Sequence, residues 1–360
     1  MTHPYAQQPD HAFWRQAVAD PAAQDIGLVD PVVAPAFHID RHQRIATAGS
    51  CFAEHVARHL RQAGVRPFIT EQAHPIVPAA VAQAFGYGQF CARYGNVYTS
   101  RQLLQLMLRA FGEFTPADSA WPTPQGRWID PFRPRVHPDG FYSRAELEAD
   151  REIHFDSVRR MFAQVDVLVF TLGLTETWAS REDGAVYPVC PGVLGSQFDP
   201  QRHELLNLGV DEVVDDVSRV IELLSYINPG ARLVLTVSPV PLVATAGYRH
   251  VMVATSYSKS VLRVAAERLS REWRGVAYFP SYEIITGHYH QGRYFAPDLR
   301  SVTDEGVNHV MRLFLHHYLG LQPAASGTAH LSQAAPAMDR RTEELIKVTQ
   351  THCDEEALCR

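Results

Sequence analysis

Short apolar segments alternate with amphipathic ones over residues 44–318, and this alternation restricts the folds open to the chain. The clearest apolar segment is 165–171 (VDVLVFT), typical of a strand covered on both faces of a parallel sheet. Shorter strands are predicted at 44–48, 231–237 and 276–279, and the main helices at 51–63, 101–111, 155–163, 211–227, 257–273 and 304–318. Strand–helix alternation with right-handed crossovers indicates an α/β fold. A further strand near 65–69 brings the expected parallel sheet to about five strands.

Composition divides the chain into three parts. Residues 1–40 are polar and contain five prolines, which predicts an N-terminal arm. We expect one α/β domain over 41–320, with loop insertions near 112–150 and 181–207. Residues 321–360 begin with an Ala-, Ser- and Pro-rich stretch, which predicts a linker and a polar C-terminal tail.

The overall composition excludes several classes of protein. The 360 residues are 46% hydrophobic and 20% charged, as in globular proteins, and the net charge of −6 disfavours a nucleic-acid-binding surface. No apolar run approaches the roughly 18 residues of a membrane helix, and no secretory leader is visible. The five cysteines form no C-x-x-C pair. We therefore expect a cytoplasmic protein without a membrane partner, a bound metal or a cofactor.

Small and polar residues follow each predicted strand. Gly49 and Ser50 follow the first strand, 173–176 the second, Ser238 the third and 281–283 the fourth. Ligands of open α/β sheets bind at the carboxyl ends of the strands, so these four groups should converge on one edge. The candidate substrate-binding residues there are Gly173, Thr175, Glu176 and Ser238, and Glu283 is a candidate acid.

Ser50 is the candidate nucleophile, because it lies between a strand and a helix. Free backbone N–H groups at a helix start can stabilise an oxyanion beside the serine hydroxyl. The alternative is that Ser50 only caps the helix, a position that serine favours. Cys51 is a rival nucleophile, since a cysteine near a helix N-terminus can have a lowered pKa.

Six ordered motifs resemble those of the GSCFA family. They are AGSCFA (48–53), RYGNVY (93–98), TLGLTE (171–176), TVSPV (236–240), YSKS (257–260) and YFPSYE (278–283). The resemblance spans about residues 1–320. The family belongs to the SGNH/GDSL hydrolase-like superfamily, which implies a flavodoxin-like, three-layer α/β/α sandwich.

The resemblance also implies an activity. Ser50 would be the nucleophile of a serine esterase or an O-acyltransferase that works through an acyl-serine intermediate. The implied substrate is an acylated, in particular acetylated, carbohydrate or a related small ester. Gly95 and Asn96 would be oxyanion donors together with the Ser50 N–H, although a Gly-Asn pair also favours a plain turn. Thr175 stands where the superfamily often has its asparagine.

The general base is the main departure from the superfamily pattern, in which a histidine follows an aspartate by three residues. Asp298 fits that aspartate, but Ser301 stands in place of the histidine. His250, in the loop after the strand at 231–237, is the leading alternative base. The other candidates are His288, His290 and His309, and the acids that would orient a histidine are Glu176, Glu283 and Asp298. If no histidine serves, the chain is a catalytically degenerate protein that binds a glycan or a protein partner.

Two further features favour structural explanations. Lys259 would bind an anionic substrate group, but a solvated lysine is the commoner reading of such a position. His55 and His59 have a spacing seen in zinc sites, yet no third ligand is apparent and a polar helix face explains them.

Overall fold

The computed structural model describes residues 3–19, 26–65 and 68–321. The strands in these ranges are β1 (Ile45–Ala48), β2 (Trp121–Pro122), β3 (Trp128–Ile129), β4 (Val167–Leu172), β5 (Glu176–Ser180), β6 (Val186–Tyr187), β7 (His203–Asn207), β8 (Arg232–Val237) and β9 (Val276–Tyr278). The α-helices are α1 (Trp14–Ala17), α2 (Cys51–Gln62), α3 (Ala79–Ala84), α4 (Ser100–Ala110), α5 (Arg144–Gln164), α6 (Val210–Ile227), α7 (Val251–Glu272), α8 (Ser281–Thr286) and α9 (Asp304–Leu319).

The central sheet has the order β1-β4-β8-β9, and all of its neighbouring strands pair in parallel. The carboxyl ends of these four strands therefore meet at one edge, which we call the carboxyl edge. This confirms the predicted α/β class and the predicted common direction of the strands. The described part of the sheet has four strands rather than about five.

The segment expected to form the fifth strand pairs elsewhere. Residues 66–67 lie outside the described residues, and 68–69 form no strand. The backbone N–H groups of Thr70 and Glu71 both donate to the Cys91 carbonyl, at 2.8 and 3.3 Å. The edge of β1 that pairs with no described strand is covered by Tyr94, whose hydroxyl donates to the Thr47 carbonyl. Side chains from the segment around 91–94 thus replace a neighbouring strand.

Helices cover both faces of the sheet. Alternate strand residues point to opposite faces, so Val167 and Val169 of β4 pack towards α2, α8 and α9. Leu168 and Phe170 pack towards α4, α5, α6 and α7. The predicted three-layer α/β/α sandwich is confirmed.

The regions expected to be irregular contain more regular structure than predicted. A small antiparallel sheet of order β6-β5-β7 begins directly after β4, so the segment 181–207 supplies two short strands. β2 and β3 pair as a short hairpin within 112–150. α5 begins at Arg144 rather than near 155, because the Ser143 hydroxyl caps it by accepting from the Glu146 N–H at 3.1 Å.

The described part of the N-terminal arm packs along α9 and a nearby loop. The Ile39 N–H donates to the Tyr318 carbonyl at 2.7 Å, and Asp30 pairs with His317 at 2.6 Å. Residues 322–360 lie outside the described residues, so the linker and polar tail stay a prediction. Within the described ranges, no helix combines the length and apolar character needed to cross a membrane.

Candidate active site

Ser50 lies at the junction of β1 and α2, where the sequence predicts the nucleophile. It occupies the N-cap position of α2 and is 4% exposed, but its side chain makes no capping hydrogen bond. Its carbonyl oxygen accepts from the Ala53 N–H at 2.8 Å, which starts the helix. The alternative that Ser50 only caps the helix through its hydroxyl is therefore not what the geometry shows. The side chain of Cys51 lies outside the described part of the structure.

Gly49 holds the backbone before Ser50 in a position that only glycine tolerates. Its φ of 147° lies in a region that other residues rarely adopt. A Cβ there would stand 2.7 Å from the Thr171 Cβ and 2.9 Å from the Thr171 carbonyl oxygen. Because Gly49 packs closely against Thr171 of β4, Ser50 lies beside the end of β4.

The segment that carries Gly95 and Asn96 crosses the carboxyl edge next to Ser50. The Val97 N–H donates to the Gly49 carbonyl at 2.9 Å, so Asn96 lies one residue from a direct contact with the Gly49–Ser50 turn. Gly95 has a φ of 69°, which marks a turn. The fold thus brings together three sequence-predicted residues that are far apart in the chain. Whether Gly95 and Asn96 donate to an oxyanion stays a prediction.

A capping box fixes the end of this segment. The Thr99 hydroxyl accepts from the Gln102 N–H at 3.2 Å, and the Gln102 Oε1 accepts from the Thr99 N–H at 3.0 Å. Tyr98, the residue before it, accepts at its carbonyl oxygen from the N–H groups of Gly173 and Leu174, both at 2.9 Å. The turn after β4 and the start of α4 are therefore locked to each other.

Gly173 and Thr175 serve mainly to join the end of β4 to α7. Lys259 of α7 donates from Nζ to the Gly173 carbonyl at 2.7 Å. The Thr175 N–H donates to the Ser258 hydroxyl at 3.1 Å, and its own hydroxyl donates to Asn207 Oδ1 at 2.6 Å. Both hydrogen-bond donors of Thr175 are thus used within the protein, which explains how threonine can stand where asparagine was expected.

Lys259 corrects the expectation of a solvated lysine, because its side chain is buried at 2% exposure. The signal in the sequence was its helical spacing. Leu262 and Ala266 lie three and seven residues further along and face the core, so Lys259 belongs to the buried face of α7. The chain contains one other lysine, Lys347, against 33 lysines and arginines together, which makes a buried lysine here more distinctive.

Ser238 ties the ends of the strands together. Its N–H donates to the Leu172 carbonyl at 2.8 Å, and its hydroxyl accepts from the Val240 N–H at 3.3 Å. Ser281 does the same beyond β9, with a hydroxyl that donates to the Val237 carbonyl at 3.1 Å. These serines lie at the carboxyl edge as predicted, and their described contacts are structural.

Glu176 lines a cavity of about 350 Å³ beside this edge. Its Oε1 accepts from the Thr245 hydroxyl at 2.7 Å. The other lining residues are largely apolar or aromatic and include Tyr98, Leu174, Trp178, Leu205 and Leu242. Because the Tyr98 carbonyl bonds to the turn after β4, the cavity adjoins the segment that contacts the Gly49–Ser50 turn.

The two predicted acids, Glu283 and Asp298, have partners other than histidine. Glu283 accepts from Arg263 Nε at 2.6 Å and from the Tyr278 hydroxyl at 2.7 Å. Asp298 accepts from the Ser301 hydroxyl at 2.5 Å and from the Ser301 N–H at 2.9 Å. The hydrogen bond from Ser301 lowers the pKa of Asp298. Ser301 thus occupies the place of the missing histidine and closes an exposed turn with Asp298.

His250, the predicted base, is exposed and caps α7. Its Nδ1 accepts from the Met252 N–H at 3.2 Å. It lies eight residues before Ser258, which corresponds to about 12 Å along a helix, so it stands well beyond the level of the turn after β4. No described hydrogen bond joins His250 to Ser50.

The other histidines considered as bases are engaged elsewhere. The His288 ring stacks on Trp14 with centroids 5.4 Å apart. His290 Nε2 contacts the Ile285 carbonyl at 2.7 Å, and His309 Nδ1 contacts the Tyr294 hydroxyl at 2.7 Å. None of these contacts leads to Ser50.

His55 and His59 bind neighbouring protein groups. His55 Nδ1 contacts Arg58 Nη2 at 2.5 Å, and His59 Nε2 contacts Asn308 Oδ1 at 2.9 Å. Across the described ranges, no three His, Cys, Asp or Glu side chains gather closely enough to hold a metal ion.

The parallel sheet, the serine at its first strand–helix junction and the cavity at the same edge define an α/β protein with a candidate ligand site at the carboxyl ends of its strands. Residues 44–314 match the model of the GSCFA family, and the chain belongs to that family. The match runs from β1 into α9 and so contains every strand of the central sheet. This membership suggests a hydrolase-like function. A comparison with curated proteins found no match.

Proposed function

We propose that the protein is a serine esterase or an O-acyltransferase that forms an acyl-Ser50 intermediate. The observation that carries the proposal is the position of Ser50, at a helix start with a hydroxyl that makes no capping bond. Backbone N–H groups in the first turn of a helix are oriented to stabilise the negative charge of a tetrahedral intermediate. Membership of the GSCFA family supports the same class of chemistry.

The proposed reaction has two steps. The Ser50 Oγ attacks the ester carbonyl carbon, a base takes the hydroxyl proton, and the leaving alkoxide receives that proton as the ester C–O bond breaks. Water or an acceptor hydroxyl then attacks the acyl-serine and restores Ser50. His250 is the first candidate for the base, although its Nδ1 caps α7 and no described hydrogen bond joins it to Ser50, so base catalysis by His250 requires the loop before α7 to move towards Ser50.

We assign the substrate as an acylated carbohydrate or a related small ester. The cavity beside the carboxyl edge offers aromatic surface from Tyr98 and Trp178, on which the apolar face of a sugar ring can pack. Glu176 and Thr245 supply polar oxygens that can bind sugar hydroxyls. A volume of about 350 Å³ lies within the roughly 300–1,000 Å³ usual for small-molecule sites.

A second candidate function is that of a binding protein on the same fold. It is favoured by Ser301, which replaces the histidine of the superfamily pattern and is bonded to Asp298. In that case the cavity holds a glycan or a partner, and Ser50 does no chemistry.

Labelling with a fluorophosphonate probe distinguishes the two functions. The esterase proposal predicts covalent modification at Ser50, loss of labelling in Ser50→Ala, and parallel loss of p-nitrophenyl acetate hydrolysis. Ser270→Ala is the control, because Ser270 lies near the far end of α7 from the carboxyl edge, where its hydroxyl donates to the Glu267 carbonyl, and it should leave labelling intact. An unlabelled, inactive parent protein that still binds a glycan would support the second function.

A further inference from the structure

A buried network of charged residues lies on the side of the molecule that includes α5. Its cations are Arg93, Arg133 and Arg151, and its carboxylates are Glu71, Asp130 and Asp150. The N–O distances in these pairs run from 2.8 to 3.4 Å. His154 contacts Glu71 at 2.7 Å, but burial and the nearby Arg133 lower its pKa to about 4, so it is neutral near pH 7. Three cations therefore face three carboxylates, and the network is balanced.

Arg109 of α4 adds a cation that this balance does not need. Its guanidinium lies over the Phe132 ring, 3.7 Å from the centroid, and 5.7 Å from the Phe155 centroid. Its Nε donates to the Gln105 carbonyl at 3.3 Å, and among the described residues it pairs with no carboxylate. Burial, offset in part by Asp130, lowers the pKa of Arg109 to about 9. Arg109 is partly buried and lies at a cavity wall, and a partly buried charge without a counter-ion is less stable than a paired one, so an anion would stabilise this position.

Arg109 faces a cavity of about 410 Å³ that is separate from the one at the carboxyl edge. Arg151 and Arg159 also line it, but Arg151 pairs with Asp130 and Arg159 with Asp156, so Arg109 is the lining arginine that has no described carboxylate partner. Glu152 is the one carboxylate among the described lining residues. Its apolar walls are Phe111, Phe114, Phe132 and Phe155. The cavity thus combines three guanidinium groups with flat aromatic surface.

We propose that this cavity binds an organic oxyanion, a phosphate or carboxylate group carried on a flat apolar body. Guanidinium groups bind both oxyanions through paired hydrogen bonds, and the phenylalanine rings offer a surface for the apolar part. The anion supplies the counter-charge that Arg109 lacks. The proposal does not depend on the chemistry of Ser50. The two cavities share no lining residue, although Arg109 also lines a small cavity of about 20 Å³ with Asn96 that lies between them.

Calorimetric titration of the full chain with three probes of one shape tests the proposal. Phenyl phosphate and benzoate carry the two oxyanions, and benzyl alcohol is their neutral counterpart. We expect saturable binding of at least one anion with one site per chain, and no comparable binding of benzyl alcohol. The tighter of the two anions identifies the oxyanion that the site prefers.

Two variants locate the binding. Arg109→Met should weaken binding of the preferred anion by about tenfold or more, as expected when a charged hydrogen-bond partner is lost. Arg144→Met is the matched control, because Arg144 is an exposed arginine of α5 whose one ion-pair partner among the described residues is Glu148, at 2.8 Å. The affinity of the Arg144→Met variant for the anion should equal that of the parent protein.

The melting temperature separates a ligand site from a purely structural arginine. Arg109→Met removes a partly buried charge that has no described carboxylate partner, so the free variant should melt no lower than the parent within about 2 °C. If it fails to fold, Arg159→Met replaces it, because Arg159 lines the cavity and is 36% exposed. Absence of saturable binding by both anions, equal binding of benzyl alcohol, or unchanged affinity in the variant that folds would each overturn the proposal.

Discussion

Gly49 and Ser50 have different structural roles at the end of β1. Gly49 adopts a backbone conformation that brings it within contact distance of Thr171, and a side chain there would separate β1 from β4. Ser50 is thereby buried at the start of α2 while its hydroxyl stays out of the helix cap. The geometry explains the glycine, because this position must lack a Cβ, whereas the need for a hydroxyl at position 50 comes from the proposed chemistry.

His250 is tested by separating its two possible roles. Nδ1 caps α7, so a loss of activity in His250→Ala by itself mixes capping with base catalysis. Asparagine keeps the capping role, since it is among the preferred N-cap residues, but it cannot act as a base. If His250 is the base, both variants should lower kcat for p-nitrophenyl acetate by at least about 100-fold.

The double variant with Ser50→Ala completes that test. Members of a catalytic unit are not additive, so the double variant should be no worse than Ser50→Ala alone. A His250→Asn protein that keeps more than a tenth of the parental kcat would exclude His250 as the base. His288 and His290 would then be the next histidines to replace.

The sequence predicted the positions of residues better than it predicted their contacts. Ser50, Gly95 and Asn96 meet at the carboxyl edge as expected, because backbone pairing brings their segments together. The partners of Glu283 and Asp298 were not predictable, since an exposed carboxylate can bind any nearby donor. Glu283 binds Arg263 and Asp298 binds Ser301, and no described hydrogen bond joins either acid to a histidine.

At the scale of elements, α7 positions the turn after β4. Ser258 and Lys259 reach the carboxyl edge from adjacent positions on the helix and bind Thr175 and Gly173. Since the Gly173 N–H also binds the Tyr98 carbonyl, α7 is connected through this turn to the segment beside Ser50. We therefore regard Lys259 as a positioning residue for the candidate site.

Lys259→Met tests this connection. Methionine fills a similar volume but leaves the Gly173 carbonyl without this donor, so the turn should shift and esterase kcat should fall about tenfold or more. Rescue in Lys259→Arg should be partial at best, because a guanidinium is larger and the site is 2% exposed. Arg271→Met, a change at an exposed position near the end of the same helix, should leave activity unchanged. Full activity in Lys259→Met would show that the turn does not depend on the ammonium group.

The elements of the central sheet were predictable and the smaller sheet was not. β4 and β8 are short runs of apolar residues between helices, a pattern that predicts buried parallel strands. β6 spans two residues and β7 alternates only weakly, so neither gives a clear period in the sequence. The prediction of a fifth strand near 65–69 was wrong because of a tertiary contact. The Thr70 N–H donates a hydrogen bond to the Cys91 carbonyl rather than to a neighbouring strand.

At the scale of the whole molecule, the buried charge network makes stability depend on pH. Burial lowers the pKa of His154 to about 4 in the folded protein, against about 6.5 in an unfolded chain. The unfolded state therefore binds the proton first as the pH falls. Stability from this group is complete above about pH 6.5 and is lost progressively between about pH 6.5 and 4.

Urea unfolding at pH 7 and at pH 4.5 measures this effect. His154 should account for roughly 2–3 kcal/mol of the loss in unfolding free energy between the two pH values. The glutamine of His154→Gln does not titrate, so the unfolding free energy of this variant should fall less than that of the parent between pH 7 and pH 4.5, by the His154 contribution. At pH 7 the variant should be less stable than the parent, because the buried contact with Glu71 is altered. His11→Gln, a change at an exposed histidine, should follow the parent curve. An equal loss in His154→Gln and the parent would show that His154 does not titrate differently on unfolding, and the acid sensitivity would then belong to the carboxylates of the network.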